Sequence, residues 1–222
     1  HALLELAEKD PTVSYDRTIH RRRYAAPGNS ISATSHDAAY SPLTDFQIEQ
    51  LLDPEGSPVQ IVCGLEILGI TKVGTALKRI SDTGPLPGVG KDGIELIMTE
   101  TAKDIRPVFD KLRKNDTRRK ILVHSPTTIE EAREQIDWLE RQQVVLDGRI
   151  RPILLLNAGD PGMRAMAIRR SEQSEFLGPW GAEMIRVHLN NIERTDLDTW
   201  QMRKKILAAT GGIPGDVVRI VS

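Results

Sequence analysis

Cys63 is the only thiol in a chain of 222 residues, which excludes an intramolecular disulfide framework and a cysteine-based zinc cluster. The five histidines (His1, His20, His36, His124 and His188) are scattered with no HxxxH pairing, so no metal site is expected. Aromatic residues make up 4%, sparse for a surface that stacks bases. The formal net charge is -1, so no global field draws the chain to nucleic acid, and any such contact has to come from a local patch. The longest apolar stretch, near residues 59 to 70, is broken by Gln60 and Glu66 and spans no membrane. With no apolar signal segment and no disulfide framework, the expected location is the cytoplasm. The chain starts at His1 rather than Met, which reads as a tag remnant or a truncation of a longer protein.

What is present is ordinary for a globular protein, 39% hydrophobic and 27% charged. Residues 1–43 read as a basic arm, rich in Ser, Ala, Gly and Pro and without an apolar period. The run His20-Arg21-Arg22-Arg23-Tyr24 is its most basic part: either a solvated tail, or phosphate contacts, since closely spaced arginines release counterions. From Leu43 the pattern becomes regular. "LTDFQIEQLL" has helical spacing, "PVQIVCG" is a short β-branched run, and "KVGTALKRIS" places Val73, Ala76, Leu77 and Ile80 on one helical stripe. "IELIMTE", "RKILVHS" and "RPILLLNAGD" read as strands alternating with helices, the last as a fully buried one. A cap at Thr127/Thr128 before Glu130 and Glu131 starts one of these helices. A strand is expected over "EMIRVHL", and a helix, a Gly-Gly-x-Pro stop and a second helix at the end. The rhythm predicts an α/β fold with a parallel sheet: a core over 44–194, and a small helical piece over 195–222.

The stretch "IVCGLEILGITKVGTALKRI" (61–80) supports two readings. As strand, loop and helix, Gly64 and Gly69 have the spacing of a phosphate-binding GxxxxGK[ST] loop, with Thr71 at the hydroxyl place. Ile70 stands where the phosphate lysine belongs, and Lys72 lies about 200° further round a helix. A Walker B strand would be "KILVHSP", where His124 and Ser125 replace the acidic pair that holds magnesium. Asn157 would take the polar sensor place on the next strand, and Arg169 and Arg170 are either partner-contacting arginines or a solvated helix end. "GVGKD" (88–92) reads as loop composition. In the other reading, residues 60–80 are a helix-turn-helix turning at Gly69, with Lys72, Thr75 and Arg79 facing DNA.

The C-terminal stretch bears on the choice. Trp180, the linker Asp196-Leu197-Asp198, and Thr210-Gly211-Gly212-Ile213-Pro214-Gly215-Asp216 followed by Arg219 stand in an order that resembles AAA+ P-loop ATPases. Among these the resemblance is to the transposon-encoded TniB/TnsC type, and it covers about residues 44 to 222. It implies a P-loop NTPase-like parallel sheet with a helical lid, and a nucleotide site over Gly64, Gly69, Ile70, Thr71, His124, Ser125, Asn157 and Arg219. It also implies DNA and transposition-type protein partners and a homo- or hetero-oligomer. Because the lysine and the Walker B acids are both missing, the expectation is an adaptor that does not hydrolyse ATP and binds ATP or ADP weakly or not at all. Arg21, Arg22, Arg23, Arg169 and Arg170 would be its contacts. A STAND-type signalling ATPase shares the lid layout and is the remaining alternative.

Overall fold

A computed structural model describes residues 40–53, 56–77, 95–98, 104–114 and 119–222. Residues 41–178 and 179–222 fall into separate compact units, the second joined by Tyr40. The division at Gly178/Pro179 falls earlier in the chain than the expected 194/195 boundary.

The first unit opens with α1 (Asp45–Leu52), started by a capping box in which Thr44 and Gln47 satisfy each other's free donors. Five strands follow: β1 (Gln60–Gly64), β2 (Glu95–Met98), β3 (Lys120–His124), β4 (Ile150–Asn157) and β5 (Ser174–Phe176). Among the described residues all four strand pairings are parallel, in the order β2-β3-β4-β1-β5. Between them run α2 (helical over 73–77), α3 (Arg106–Lys114), α4 (Ile129–Leu139), α5 (Gln143–Leu146) and α6 (Pro161–Arg169).

Alternate residues of each strand feed two cores. One face carries Ile61, Cys63, Leu122, Leu154 and Leu156 against α3, α4, α5 and α6. The other carries Val62, Ile121, Val123, Ile153 and Leu155 against α1 and α2. This segregation has a topological cause. The connections β2→β3, β3→β4 and β4→β5 step one way across the sheet, while β1→β2 steps back the other way. Right-handed crossovers then put α2 on the opposite face from α3, α4 and α6. The chain therefore parts at the carboxyl ends of β1 and β4, the kind of crevice where open α/β sheets bind ligands.

The helix-turn-helix reading is overturned here. Residues 60–64 form an interior strand, hydrogen-bonded on both sides, so the first helix of that motif does not exist. Val73, Ala76 and Leu77 are buried, which the strand–loop–helix reading requires. Ile80 and Arg79 lie outside the described residues, as do Arg21, Arg22, Arg23 and the "GVGKD" segment.

The second unit is helical: α7 (Ala182–Asn191), α8 (Trp200–Thr210) and α9 (Pro214–Val221). The strand expected over "EMIRVHL" is instead α7, because Ile185, His188, Leu189 and Ile192 recur at helical spacing and turn toward one core. Trp180 centres that core, with Tyr40 edge-on at 5.6 Å between ring centroids. The Gly-Gly-x-Pro stop works as read. Gly211 and Gly212 both have positive φ, and Trp180 N–H donates to Gly212 O at 2.7 Å. A Cβ on Gly212 would lie 2.4 Å from Trp180 O, a backbone atom that cannot swing away. Gly212→Ala should therefore cost this unit about 2–4 kcal/mol in chemical denaturation, from strain and overlap together. Gly215→Ala, whose Cβ meets nothing within 4 Å, should leave the midpoint unchanged or slightly raised.

Candidate functional site

Gly64 ends β1 directly beside Asn157 at the end of β4, and Ala158 N–H crosses to Gly64 O at 2.9 Å. The register thus brings these two candidate residues to the crevice. Gly64 owes its lack of a side chain to packing. Leu177 N–H donates to Cys63 O, and a Cβ on Gly64 would fall 2.7 Å from the Leu177 side chain. The close approach that this glycine permits is made by Leu177, not left open to a phosphate.

The loop beyond it folds on itself. Residues Glu66–Leu68 and Ile70–Lys72 form two 3₁₀ turns joined by Gly69 at φ 90°. A phosphate cradle needs successive N–H groups pointing outward. Here Leu68, Gly69, Lys72 and Val73 N–H donate instead to Leu65, Glu66, Gly69 and Ile70 O respectively. Ile70, at the lysine place, is 5% exposed and packs with Val62, Leu77, Ile121 and Val123. Thr71 is exposed, and so are Leu65, Glu66 and Ile67, an apolar and acidic rim where a basic one would be needed. The glycine spacing is that of a phosphate loop, but four of its N–H groups are turned into the loop's own carbonyls and the residue at its cation place is part of the core.

His124 ends β3 level with Leu154, three residues short of Asn157 in register, or about 10 Å along the strand. Its side chain is buried and faces α4, where its Nε2 lies 3.6 Å from Glu131 Oε1. Glu131 was legible in the sequence only as part of a helix start. In the fold it is a carboxylate beside the Walker B position, reaching back from the third residue of α4. Both its oxygens are engaged: Oε2 accepts from Thr127 N and Oγ1 at 2.7 and 2.8 Å, and Oε1 from Gln135 Nε2 at 3.0 Å. Partial burial pushes its carboxyl up, but the Thr127 donors and the His124 charge outweigh this and hold it below the usual range. Ser125 is exposed beyond the strand.

Asn157 is exposed, and its Oδ1 accepts from Gly159 N at 2.8 Å, closing its own turn. Asp160 then caps α6 through Gly162 and Met163 N–H. Burial pushes the neighbouring Cys63 thiol up, more than the Arg164 guanidinium lowers it, which leaves it unreactive. Arg169 and Arg170 lie at the far end of α6, away from the crevice, on a groove of about 640 Å³ with Ser57, Ser171, Glu172 and Gln173. Arg169 is exposed; Arg170 is tied to Glu140 and Asp137 of α4 and its end, a structural strut. Arg219 belongs to the second unit and pairs with Asp216 at 2.6 Å. Among the described residues no group of three or more His, Cys, Asp or Glu could hold a metal, and no helix is long and apolar enough to cross a membrane.

These features define an α/β protein of P-loop NTPase-like fold: a parallel sheet with flanking helices and a glycine-bounded loop at its switch point. No protein-family model matches the chain. No curated protein matches it either. Among solved structures it is similar to the ORC2 protein of Aeropyrum pernix in ADPNP–ADP complexes, at 15% identity and a TM-score of 0.42. That likeness covers 93% of this chain, which spans 64% of the length of the other.

Two outcomes follow from this geometry. Ile70→Lys puts an ammonium into an apolar cluster, so it should destabilise the fold by about 2–5 kcal/mol in urea and confer no affinity for ATP. Glu131 has a lowered folded pKa, so its stabilisation is complete above the unfolded value of about 4.3 and is lost as pH falls through the folded one. Glu131→Gln should therefore cost about 1 kcal/mol near neutral pH, and the gap to wild type should close in acid.

Proposed function

We propose that this chain is an AAA+-like adaptor that assembles with partners without hydrolysing nucleotide. The observation that carries this reading is the seat of Ile70 in the core, with the N–H groups of Leu68, Gly69, Lys72 and Val73 bonded within the loop. Phosphoryl transfer is mostly positioning and charge stabilisation, and among the described residues the loop has an apolar side chain at its cation place while Glu131, beside His124, has both oxygens engaged. ATP or ADP then binds weakly or not at all.

An assembly role fits the same end of the sheet. Leu65 and Ile67 on the loop are exposed, as are Phe176 at the end of β5 and Phe46 on α1, whose neighbour Gln47 donates to Phe176 O. Such a rim suits contact with another protein better than a triphosphate. DNA transposition, or a related mobile-element system in the cytoplasm, is the proposed setting. It rests on the resemblance carried by Trp180, Asp196-Leu197-Asp198, Thr210–Asp216 and Arg219, as do the DNA partner and the homo- or hetero-oligomer. Arg21, Arg22 and Arg23 are the proposed phosphate contacts.

Thermal denaturation with and without magnesium ATP tests the nucleotide half. No shift is expected, whereas a ligand at a hundred times its Kd would add about 2.7 kcal/mol and raise Tm by several degrees, which would overturn the reading. Filter binding to DNA at low salt tests the other half: retention that falls steeply as salt rises is expected, and no retention rules the DNA role out.

A further inference from the structure

Four ion pairs balance the arginines of the second unit. Arg186 meets Glu183, Arg194 meets Asp196, Arg203 meets Asp198 at 2.8 Å, and Arg219 meets Asp216. Among the described residues, Lys204 and Lys205 have no acidic partner, and both are exposed. Lys204 lies against Trp200, an indole 56% exposed in the first turn of α8, and Lys205 follows about 140° round the helix from that ring. Trp200, Arg203 and Lys204 stand at i, i+3 and i+4 and share one face. The Lys204 ammonium is 4.9 Å from the Trp200 ring centroid, and the Arg203 guanidinium 5.9 Å.

We infer that Trp200 and Lys204 form a single-base platform for unpaired nucleic acid, the indole stacking one base while Lys204, and Lys205 further round the helix, take phosphates along the strand. An exposed aromatic beside unneutralised cations matches the two chemistries a single strand presents, a π-face and a run of negative charge. Two other anionic partners fit less well. A bilayer would need an apolar helix face, but Met202, Ile206 and Leu207, the apolar face of α8, are turned into the unit's own core. An acidic peptide would satisfy the lysines but gives the indole no flat partner. With one aromatic in the platform, binding is modest and strongly salt-dependent.

The platform rests on the DNA association proposed above and assigns it a place and a strand preference. Trp200 is also its own reporter, since Trp180 is buried and Trp138 is half-buried. Titrating the full chain with short oligo-dT should quench tryptophan fluorescence, and labelled oligo-dT should bind more tightly than a duplex of equal length. Trp200→Ala should abolish the quench and weaken oligo-dT binding about 5- to 150-fold, the range for losing one stacked base. Trp200→Phe should restore part of that affinity. Lys204→Gln with Lys205→Gln should lower the slope of log affinity against log salt by about 1.4. Because all three side chains are exposed, Tm should stay within a few degrees of wild type in each variant. If Trp200→Ala binds oligo-dT as well as wild type, the platform is wrong and the DNA role stands. If wild type binds neither strand form, both fall. Quenching by polyglutamate or anionic vesicles but not by oligo-dT would overturn the platform in favour of those partners.

Discussion

Strand β4 is bonded to a neighbour on each edge and buried on each face, and the first unit is arranged around it. Seven of its eight residues are buried, with Ile150, Leu154 and Leu156 on one side and Ile153 and Leu155 on the other. Each such side chain contributes about 1.5–3 kcal/mol, and a one-residue slip would exchange the two sets between cores already filled by different helices. That fixes the register with β1, and the register sets Gly64 beside Asn157. It also fixes where β3 stops, at the level of Leu154, with His124 turned under α4. The crevice is therefore a product of strand pairing, and its chemistry is decided by whichever side chains those pairings deliver there.

Sequence periodicity predicted what depends on long, one-sided patterns. The run "RPILLLN" is β4, the stripe Val73, Ala76 and Leu77 is buried, and Thr128 caps the helix that follows it. The misses share a cause in tertiary context. "EMIRVHL" carries β-branched residues and also a 3.6-residue period, and packing against Trp180 and α8 selects the helix. β5 is three residues with no apolar alternation; its pairing with β1 makes it a strand. The glycine at 64 was legible as a spacing, but whether a phosphate or a side chain exploits it depends on Leu177, more than a hundred residues away. Glu131 was legible as a helix start, and its approach to His124 emerges from the β3–α4 connection.

The loop over 65–72 also explains why 61–80 reads so easily as two helices and a turn. Its two 3₁₀ turns and the αL glycine between them have the local hydrogen bonding of helical sequence, and the apolar residues Leu68 and Ile70 flank the turn as they would in a DNA-reading motif. What separates the readings is β-branched Ile61 and Val62 placed between β4 and β5. A strand there forces the chain to leave the sheet at the switch point, and the loop must then either offer its N–H groups to a ligand or bond them internally.

Internal bonding changes how the two departures from a nucleotide site should be weighed. If Ile70 were a lone substitution in an otherwise open cradle, one charge would separate this loop from a working one. It is not isolated. Burying Ile70 draws the second turn onto the sheet, and that turn consumes the N–H groups of Lys72 and Val73. At the end of β3, the Glu131 carboxylate already has Thr127, Gln135 and His124 around it. A metal or phosphate arriving at either place would have to displace bonds worth about 1 kcal/mol each, and more where a charge is involved, before making any of its own. The two turns of the loop and the end of β3 each hold bonds of their own, and evolution toward hydrolysis would have to pass through both.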